Sequence, residues 1–182
     1  PPVDGVAVAV SGSHAYVAGG AGLRVVDVSD PATPVEIGSY ITPVIGREAE
    51  FVAVEDGHAF LAYTYLGFGD SAEGGLHVLD VATPSAPLEV GRIDVPGRPN
   101  VVAVADDYAY VTYWSSHGES GMRVFDVATP AAPVEVGHLD MDWTWGVAVD
   151  GSYAYVTCSE YSVASHGLCV IDVSTPSAPV KV

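Results

Sequence analysis

Apolar residues occur in short runs along the whole chain, and polar turn residues separate the runs. In the third quarter of the chain the runs are Val101–Ala105, Tyr108–Tyr113 and Met122–Val127, with the pair Asp106–Asp107 between the first two. Short runs rich in Val and Tyr predict β-strands. Neighbouring positions of the third run, such as Val124 and Phe125, are both apolar. A sheet with one wet face would alternate, so we expect both faces of this sheet to be covered.

The same pattern occurs four times. The segment Leu-Arg-Val-Val-Asp-Val-Ser-Asp-Pro-Ala-Thr-Pro at Leu23–Pro34 returns in related form at Leu76–Pro87, Met122–Pro133 and Leu168–Pro179. The central aspartates of the copies are 53, 46 and 46 residues apart. A strand-and-turn unit of this length cannot bury its own two faces and must stack on its neighbours. This predicts an all-β protein, a β-propeller of four-stranded antiparallel blades with the first strand of each blade innermost.

The predicted blades cover about residues 3–40, 50–93, 100–139 and 145–182. Four blades either close a small ring or form an arc of a larger propeller. We expect an arc of a six- to eight-bladed propeller, because no strand is left over to complete a blade from the opposite end of the chain. Further propeller blades are expected outside this segment, because the last copy stops within its fourth strand.

The repeated core is Leu-x-Val, then Val, Leu, Phe or Ile, then Asp-Val and x-x-Pro-x-x-Pro, with Val-Ala-Val and Ala-Tyr-Val upstream. This motif resembles the LVIVD repeat family over essentially the whole chain. The resemblance implies a β-propeller of bacterial or archaeal type, in a protein that is exported or associated with the cell surface. It implies no particular activity.

The charge of the chain narrows the range of partners. The formal net charge is −17, from 23 acidic and 6 basic residues. Phosphate backbones would be repelled, so nucleic acid is not an expected partner. No apolar run approaches the roughly 18 residues of a membrane-spanning helix, so no direct membrane insertion is expected. A second interpretation of the acidity is that it keeps an apolar-rich chain soluble.

Residues that recur in every copy are interpreted as structural. A carboxylate at the end of a strand can accept hydrogen bonds from the backbone of the following turn, which predicts this role for Asp27, Asp80, Asp126 and Asp172. A ring of aspartates that binds cations is the alternative. The repeated aromatic residues Tyr16, Phe60, Tyr110 and Tyr155 are expected in the core. We expect no metal and no cofactor, because no clustered His and Cys spacing is present.

Residues that differ between copies are the functional candidates. The four strands of a blade are lettered a to d in chain order. In a meander, the b–c loops within blades and the d–a loops between blades emerge on the same face, called here the b–c/d–a face. Loops on a rigid scaffold often carry recognition. The ligand-binding candidates on this face are Arg47, Glu50, Tyr63, Tyr65, Arg98, Asn100, Trp114, His117, Trp143, Trp145, Tyr161 and His166. The alternative is that these aromatic side chains only pack on one another.

Two functions fit this face. The first is a non-catalytic binding or scaffolding propeller that recognises a protein or a glycan, since aromatic residues mixed with Arg, Asn and Glu suit both. The alternative is a carbohydrate-active hydrolase or lyase, with a carboxylate pair drawn from Glu48, Glu50, Glu119 and Asp142. No catalytic residue is assigned, because the separation of these carboxylates does not follow from the sequence.

The two cysteines, Cys158 and Cys169, end one predicted strand and begin the next. If Ala21–Gly22 forms the shortest hairpin turn, Gly19 lies opposite Arg24, and the same pairing puts Cys158 directly opposite Cys169. Facing residues are close enough for a disulfide. Disulfides persist in oxidising compartments, so the expected location is extracellular, periplasmic or on the cell surface. Two buried free thiols are the alternative.

Overall fold

The computed structural model describes residues 5–43, 46–65, 74–115, 118–160 and 165–182, without the side chains of Arg47, Glu160 and Ser165. This part of the chain is built from strands and turns, and the prediction of an all-β propeller fold is confirmed. None of the described residues forms a helix of the length and apolarity needed to cross a membrane.

The described strands form four antiparallel sheets, one per repeat, and each sheet follows chain order from its first to its fourth strand. Blade 1 contains β1 (Ala7–Ser11), β2 (His14–Gly19), β3 (Gly22–Asp27) and β4 (Val35–Ile41). Blade 2 contains β5 (Arg47–Glu55), β6 (His58–Tyr65), β7 (Gly74–Asp80) and β8 (Leu88–Val95). Blade 3 contains β9 (Arg98–Ala105), β10 (Tyr108–Trp114), β11 (Ser120–Asp126) and β12 (Val134–Asp140). Blade 4 contains β13 (Trp143–Asp150), β14 (Tyr153–Glu160), β15 (Ser165–Asp172) and β16 (Val180–Lys181).

The turns inside each blade follow from their residues. Asp106 and Asp107 connect β9 to β10 with φ of 51° and 66°, the left-handed pair that suits the twist of a tight hairpin. At the end of each third strand the repeated aspartate accepts a backbone N–H two residues further on. These hydrogen bonds join Asp27 to Ser29 (2.8 Å), Asp80 to Ala82 (2.9 Å), Asp126 to Ala128 (3.0 Å) and Asp172 to Ser174 (2.9 Å).

Consecutive blades stack through three apolar clusters, one in each gap between blades. The first strands β1, β5, β9 and β13 lie side by side in that order, which places them nearest the axis of the arc. On the outer side, Gly38, Gly91 and Gly137 of the fourth strands touch the turn of the following blade. A Cβ at these glycines would lie 2.1–2.3 Å from the carbonyl oxygen of Pro84, Pro130 or Pro176. Glycine is therefore required at these positions for the blades to approach.

Each inner blade buries both faces. We call the side that contacts the preceding blade the upstream face and the side that contacts the following blade the downstream face. In β6, for example, Ala59 and Leu61 pack upstream, whereas Phe60 and Ala62 pack downstream. Among the described residues, none covers the upstream face of blade 1 or the downstream face of blade 4, so these four blades form an open arc. This accounts for Tyr155, expected in the core, being only half-buried.

The disulfide joins Cys158 to Cys169, with 6.0 Å between the Cα atoms. The predicted register, however, is wrong by two residues. Gly19 pairs with Gly22 across a Gly20–Ala21 turn, and correspondingly Cys158 pairs with Gly167. A shift of two residues keeps both cysteines on the upstream face of blade 4, because side chains alternate with a period of two. The bond therefore forms between diagonal rather than facing neighbours.

Candidate functional site

The strands reach further onto the b–c/d–a face than the sequence pattern predicts. Arg47, Arg98 and Trp143 are the first residues of β5, β9 and β13, and Tyr65 and Trp114 are the last residues of β6 and β10. Most of the residues expected in loops are thus held in strand ends. A ladder of backbone hydrogen bonds fixes their direction, which suits a preformed binding surface.

Four of the candidates form a continuous row across blades 2, 3 and 4. The Arg98 guanidinium donates to Glu50 Oε1 at 3.1 Å and lies 5.7 Å from the ring centroid of Trp114. The Trp114 and Trp143 rings follow, with 6.5 Å between centroids. We call Glu50, Arg98, Trp114 and Trp143 the aromatic row. Trp143 at its end is 40% exposed, so part of an indole side chain is accessible to solvent at the end of the row.

A cleft of about 460 Å³ lies beside the aromatic row, and its walls include Tyr113, Arg123, His138 and Asp140. Glu119 and Asp142 line both this cleft and the small hollow next to Trp114 and Trp143, which makes the two surfaces continuous. The cleft thus combines carboxylates, an arginine and a histidine with an aromatic wall. Its volume lies within the range of small-ligand sites.

The other candidates lie elsewhere. Tyr63 is buried and packs edge-on against His77, with 4.2 Å between ring centroids, so it does not belong to a surface site. Half-buried Asn100 donates to the Thr144 carbonyl at 2.6 Å, which links blade 3 to blade 4. Tyr65 is exposed at the end of β6. His117 and Tyr161 lie outside the described residues, as does the side chain of Arg47.

Trp145 is separate from the aromatic row. Its ring centroid lies 5.4 Å from that of His166, and both residues line the surface around Thr157 and Gly167. This surface belongs to the downstream face of blade 4. The expectation that the three tryptophans form one surface therefore holds for Trp114 and Trp143, whereas Trp145 lies with His166.

Sequence reasoning missed a set of polar pairs on the upstream faces. The residue between Leu or Met and Val in the repeated motif is Arg24, His77 or Arg123, and each pairs with a glutamate of the adjacent fourth strand. The pairs are Arg24–Glu36 at 3.4 Å, His77–Glu89 at 2.8 Å and Arg123–Glu135 at 2.6 Å. The signal was present in the sequence as a basic residue and a glutamate at constant positions in three of the four copies.

The His77–Glu89 pair is enclosed by blade 1. The hydroxyl of Tyr40 donates a hydrogen bond to Glu89 Oε2 and lies 3.3 Å from His77 Nδ1. Burial raises the pKa of Glu89, but the hydrogen bond from Tyr40 and the charge of His77 outweigh it, so the pKa lies below its usual value. Burial, reinforced by the hydrogen bond and charge of Glu89, raises the pKa of the Tyr40 hydroxyl. This arrangement therefore links blades 1 and 2 through an ionised Glu89.

Acid should weaken this link. Because the pKa of Glu89 in the folded chain lies below its ordinary value of 4.5, its stabilising effect is complete above that value and is lost as pH falls through the folded-state pKa. We expect Glu89→Gln to destabilise the protein near neutral pH and to differ less from the unmodified chain below pH 4.5. Chemical denaturation across this pH range measures the difference.

Glu36→Gln is the matched control, because the Arg24–Glu36 pair is exposed and surface pairs contribute little. A stability difference for Glu89→Gln that is constant with pH would contradict the assignment.

Within the described ranges, no group of three or more His, Cys, Asp or Glu side chains is placed to hold a metal ion.

Comparison with known proteins identifies the repeats. The model of the LVIVD repeat matches residues 4–42, 46–95, 96–141 and 143–182. Among solved structures, a hypothetical selenium-binding protein from Sulfolobus tokodaii superposes with a TM-score of 0.67 at 14% identity, over 90% of this chain and 46% of that chain. The chain thus spans about half the length of that structure, and at this identity the likeness shows the fold alone. A comparison with curated proteins found no match.

Proposed function

The chain belongs to the LVIVD repeat family, and we propose that it is a non-catalytic binding module that holds a neutral glycan on its b–c/d–a face. In this proposal the stacked blades are the scaffold. The aromatic row and the adjoining cleft bind the ligand. The observation that carries the proposal is the neighbouring pair of tryptophans, Trp114 and Trp143, beside a cleft lined with hydrogen-bonding side chains.

The chemistry of these residues suits a sugar. The apolar face of a pyranose ring packs on an indole, and its hydroxyl groups need nearby donors and acceptors. Trp143 supplies an accessible ring, while Glu119, Arg123 and Asp142 supply polar groups along the cleft. Arg98 and Glu50 neutralise each other at 3.1 Å, which leaves the row itself without a strong net charge.

The net charge argues for a neutral ligand. At −17 the chain would repel sulfated or uronate-rich polymers. A neutral oligosaccharide meets no such barrier. We also propose that the protein acts outside the cytoplasm, because the Cys158–Cys169 disulfide is typical of an oxidising compartment.

The test is a panel of immobilised neutral and anionic oligosaccharides, followed by calorimetry on any that bind. We expect binding to a neutral member and none to the anionic ones. Trp143→Ala should then weaken binding by about 2 kcal/mol, roughly 30-fold, as expected for an aromatic hot-spot residue. Its thermal stability should remain close to that of the unmodified chain, because Trp143 is partly exposed.

Trp145→Ala is the matched control. It removes the same side chain from the same strand at nearly the same exposure, 43% against 40%, but outside the aromatic row. If both variants lose binding equally, or if binding maps to the opposite face of the arc, the site is misassigned. Binding to a protein partner with no response to any oligosaccharide would overturn the choice of ligand, and cleavage of a bound oligosaccharide would overturn the non-catalytic role.

A further inference from the structure

The gap between blades 1 and 2 shows what contacts the repeated polar pair when that pair is enclosed. Tyr40 of β4 lies opposite Leu23 and faces blade 2. Its hydroxyl donates a hydrogen bond to Glu89 and lies 3.3 Å from His77 Nδ1. His77 itself pairs with Glu89 at 2.8 Å. A single hydroxyl carried on a ring therefore contacts both the basic residue and its glutamate.

The gap between blades 2 and 3 contains an equivalent pair but not the equivalent hydroxyl. Arg123 donates to Glu135 at 2.6 Å. The residue of blade 2 that corresponds to Tyr40 is Ile93, which lies opposite Leu76 and packs against the apolar cluster of this gap. Isoleucine is shorter than tyrosine and has no hydroxyl. Ile93 therefore cannot supply the hydrogen bonds that Tyr40 supplies in the preceding gap.

The cleft of about 460 Å³ lies at this pair. Arg123 and Tyr113, on the upstream face of blade 3, form part of its wall. The Arg123 side chain is 16% exposed, whereas that of the equivalent His77 is 1% exposed. A guanidinium carries five N–H groups, and Nε of Arg123 has no hydrogen-bond partner among the described residues. The arginine therefore has unused donor capacity at the edge of the cleft.

The other walls of the cleft distinguish between the rings that could carry such a hydroxyl. Glu119, Asp140 and Asp142 contribute carboxylates, which accept hydrogen bonds. A phenol would bring one hydroxyl and an apolar ring to these groups, whereas a sugar unit brings several hydroxyl donors. Covering a carboxylate without a hydrogen-bond donor is costly. The lining of the cleft therefore suits a sugar better than a phenol.

The neighbouring gaps do not offer the same combination. Tyr40 already contacts the pair between blades 1 and 2. Between blades 3 and 4 the equivalent residues are Cys169 and Lys181, and the cysteine is part of the disulfide. Of these three gaps, the one between blades 2 and 3 therefore combines a basic residue and glutamate that lack this hydroxyl with an adjacent aromatic row.

We propose that the cleft is a hydroxyl-binding subsite for a second unit of the glycan, an inference that rests on the proposed function. One sugar unit packs on Trp143. The next unit places a hydroxyl where that of Tyr40 would lie if blades 1 and 2 were superposed on blades 2 and 3. This hydroxyl donates to Glu135 and accepts from Arg123. The ligand class is therefore a neutral oligosaccharide of at least two units, with a free hydroxyl on the unit in the cleft.

The first experiment is calorimetry with neutral disaccharides of glucose, galactose, mannose and xylose in α and β linkage, each compared with the methyl glycosides of its units. We expect at least one disaccharide to bind about tenfold more tightly than its methyl glycosides, as one hydrogen bond to a charged group provides. Glu135→Gln should remove about that factor. Glu89→Gln is the matched control, because it makes the same change in a pair that Tyr40 already contacts, and it should bind the disaccharide like the unmodified chain.

The second experiment fills the cleft from within the chain. Ile93→Tyr places a phenol at the position of Tyr40, so its hydroxyl should bond to Glu135 and displace the disaccharide, with a loss of affinity of about tenfold. Ile93→Phe fills the same space without a hydroxyl. The tyrosine variant should therefore have the higher midpoint in chemical denaturation. Circular dichroism of each variant checks that it is folded.

The outcomes separate this inference from the proposed function. Disaccharide binding that requires Trp143 but is unchanged in Glu135→Gln and Ile93→Tyr would overturn the subsite and leave the function standing. Equal losses in Glu135→Gln and Glu89→Gln, or equal midpoints for the two Ile93 variants, would also overturn the subsite. No binding of any disaccharide would overturn both proposals. If p-cresol binds instead and Ile93→Tyr abolishes its binding, the cleft takes a phenol and the choice of a sugar is wrong.

Discussion

Replacing Phe125 with alanine should lower the free energy of unfolding by about 3–5 kcal/mol. The Phe125 side chain is fully buried in the cluster between blades 2 and 3, together with Phe60, Leu76 and Val111. Truncation removes apolar contacts and leaves a cavity that the stacked sheets cannot close without moving a whole blade. Chemical denaturation of the purified variant measures the loss.

Two further variants make this measurement decisive. Leu88→Ala removes an exposed apolar side chain from an outer strand and should change stability by less than about 0.5 kcal/mol. Phe125→Leu keeps most of the buried volume, so its cost should fall between the two. A loss below about 1 kcal/mol for Phe125→Ala would show that the gap between blades 2 and 3 is not packed as a core.

The fold could be predicted from the sequence because local pattern and repetition agree. Strands in which neighbouring positions are both apolar imply sheets covered on two faces. Four copies of one unit imply that the copies stack on one another. The register of the shortest hairpin did not follow in the same way. Glycines at 19, 20 and 22 allow more than one two-residue turn, and the predicted turn used Ala21–Gly22 instead of Gly20–Ala21. The sequence pattern determined only which face of the sheet each residue lies on. The predicted disulfide between Cys158 and Cys169 is therefore present, although the two residues are not directly opposite each other.

The sequence predicted which face of the fold carries the candidate site, but it did not predict which residues lie on that face. Topology alone places the end of each second strand and the start of each first strand on one face. Arg98, Trp114 and Trp143 therefore come together. It does not reveal how far each strand continues. Tyr63 was expected in a loop, but β6 extends to Tyr65 and places Tyr63 on the upstream face against His77. Such packing depends on the neighbouring blade, which a single repeat does not encode.

The disulfide occupies a position that the other blades fill differently. In blades 2 and 3 a tyrosine near the end of the second strand packs on the basic residue of the third strand. These pairs are Tyr63 with His77, at 4.2 Å, and Tyr113 with Arg123, at 4.8 Å from the ring. In blade 4 the equivalent positions are Cys158 and Cys169, and Lys181 stands where the other blades have glutamate. In blade 4 the disulfide thus takes the place of the tyrosine and the basic residue, and Lys181 takes the place of the glutamate.

Reducing this disulfide should therefore destabilise blade 4 without unfolding the arc. The cysteines are 11 residues apart in sequence, and the chain-entropy model gives about 3 kcal/mol at most for so short a loop. Unfolded, unreduced protein should show close to zero free thiols. Native protein treated with a reductant should lose up to that amount of stability, measured by chemical denaturation, while the far-ultraviolet circular dichroism stays that of a β-protein.

Two variants separate the covalent link from the packing around it. Cys158→Ala with Cys169→Ala should be insensitive to reductant, since it has no bond to lose. The triple change Cys158→Tyr, Cys169→Arg and Lys181→Glu installs the residue set of blade 3. It should recover part of the lost stability, because blade 3 covers the upstream face of blade 4 in the same way that blade 2 covers the upstream face of blade 3. If the triple variant is less stable than the double alanine variant, the three positions are not interchangeable between blades 3 and 4, and the disulfide has a role specific to blade 4.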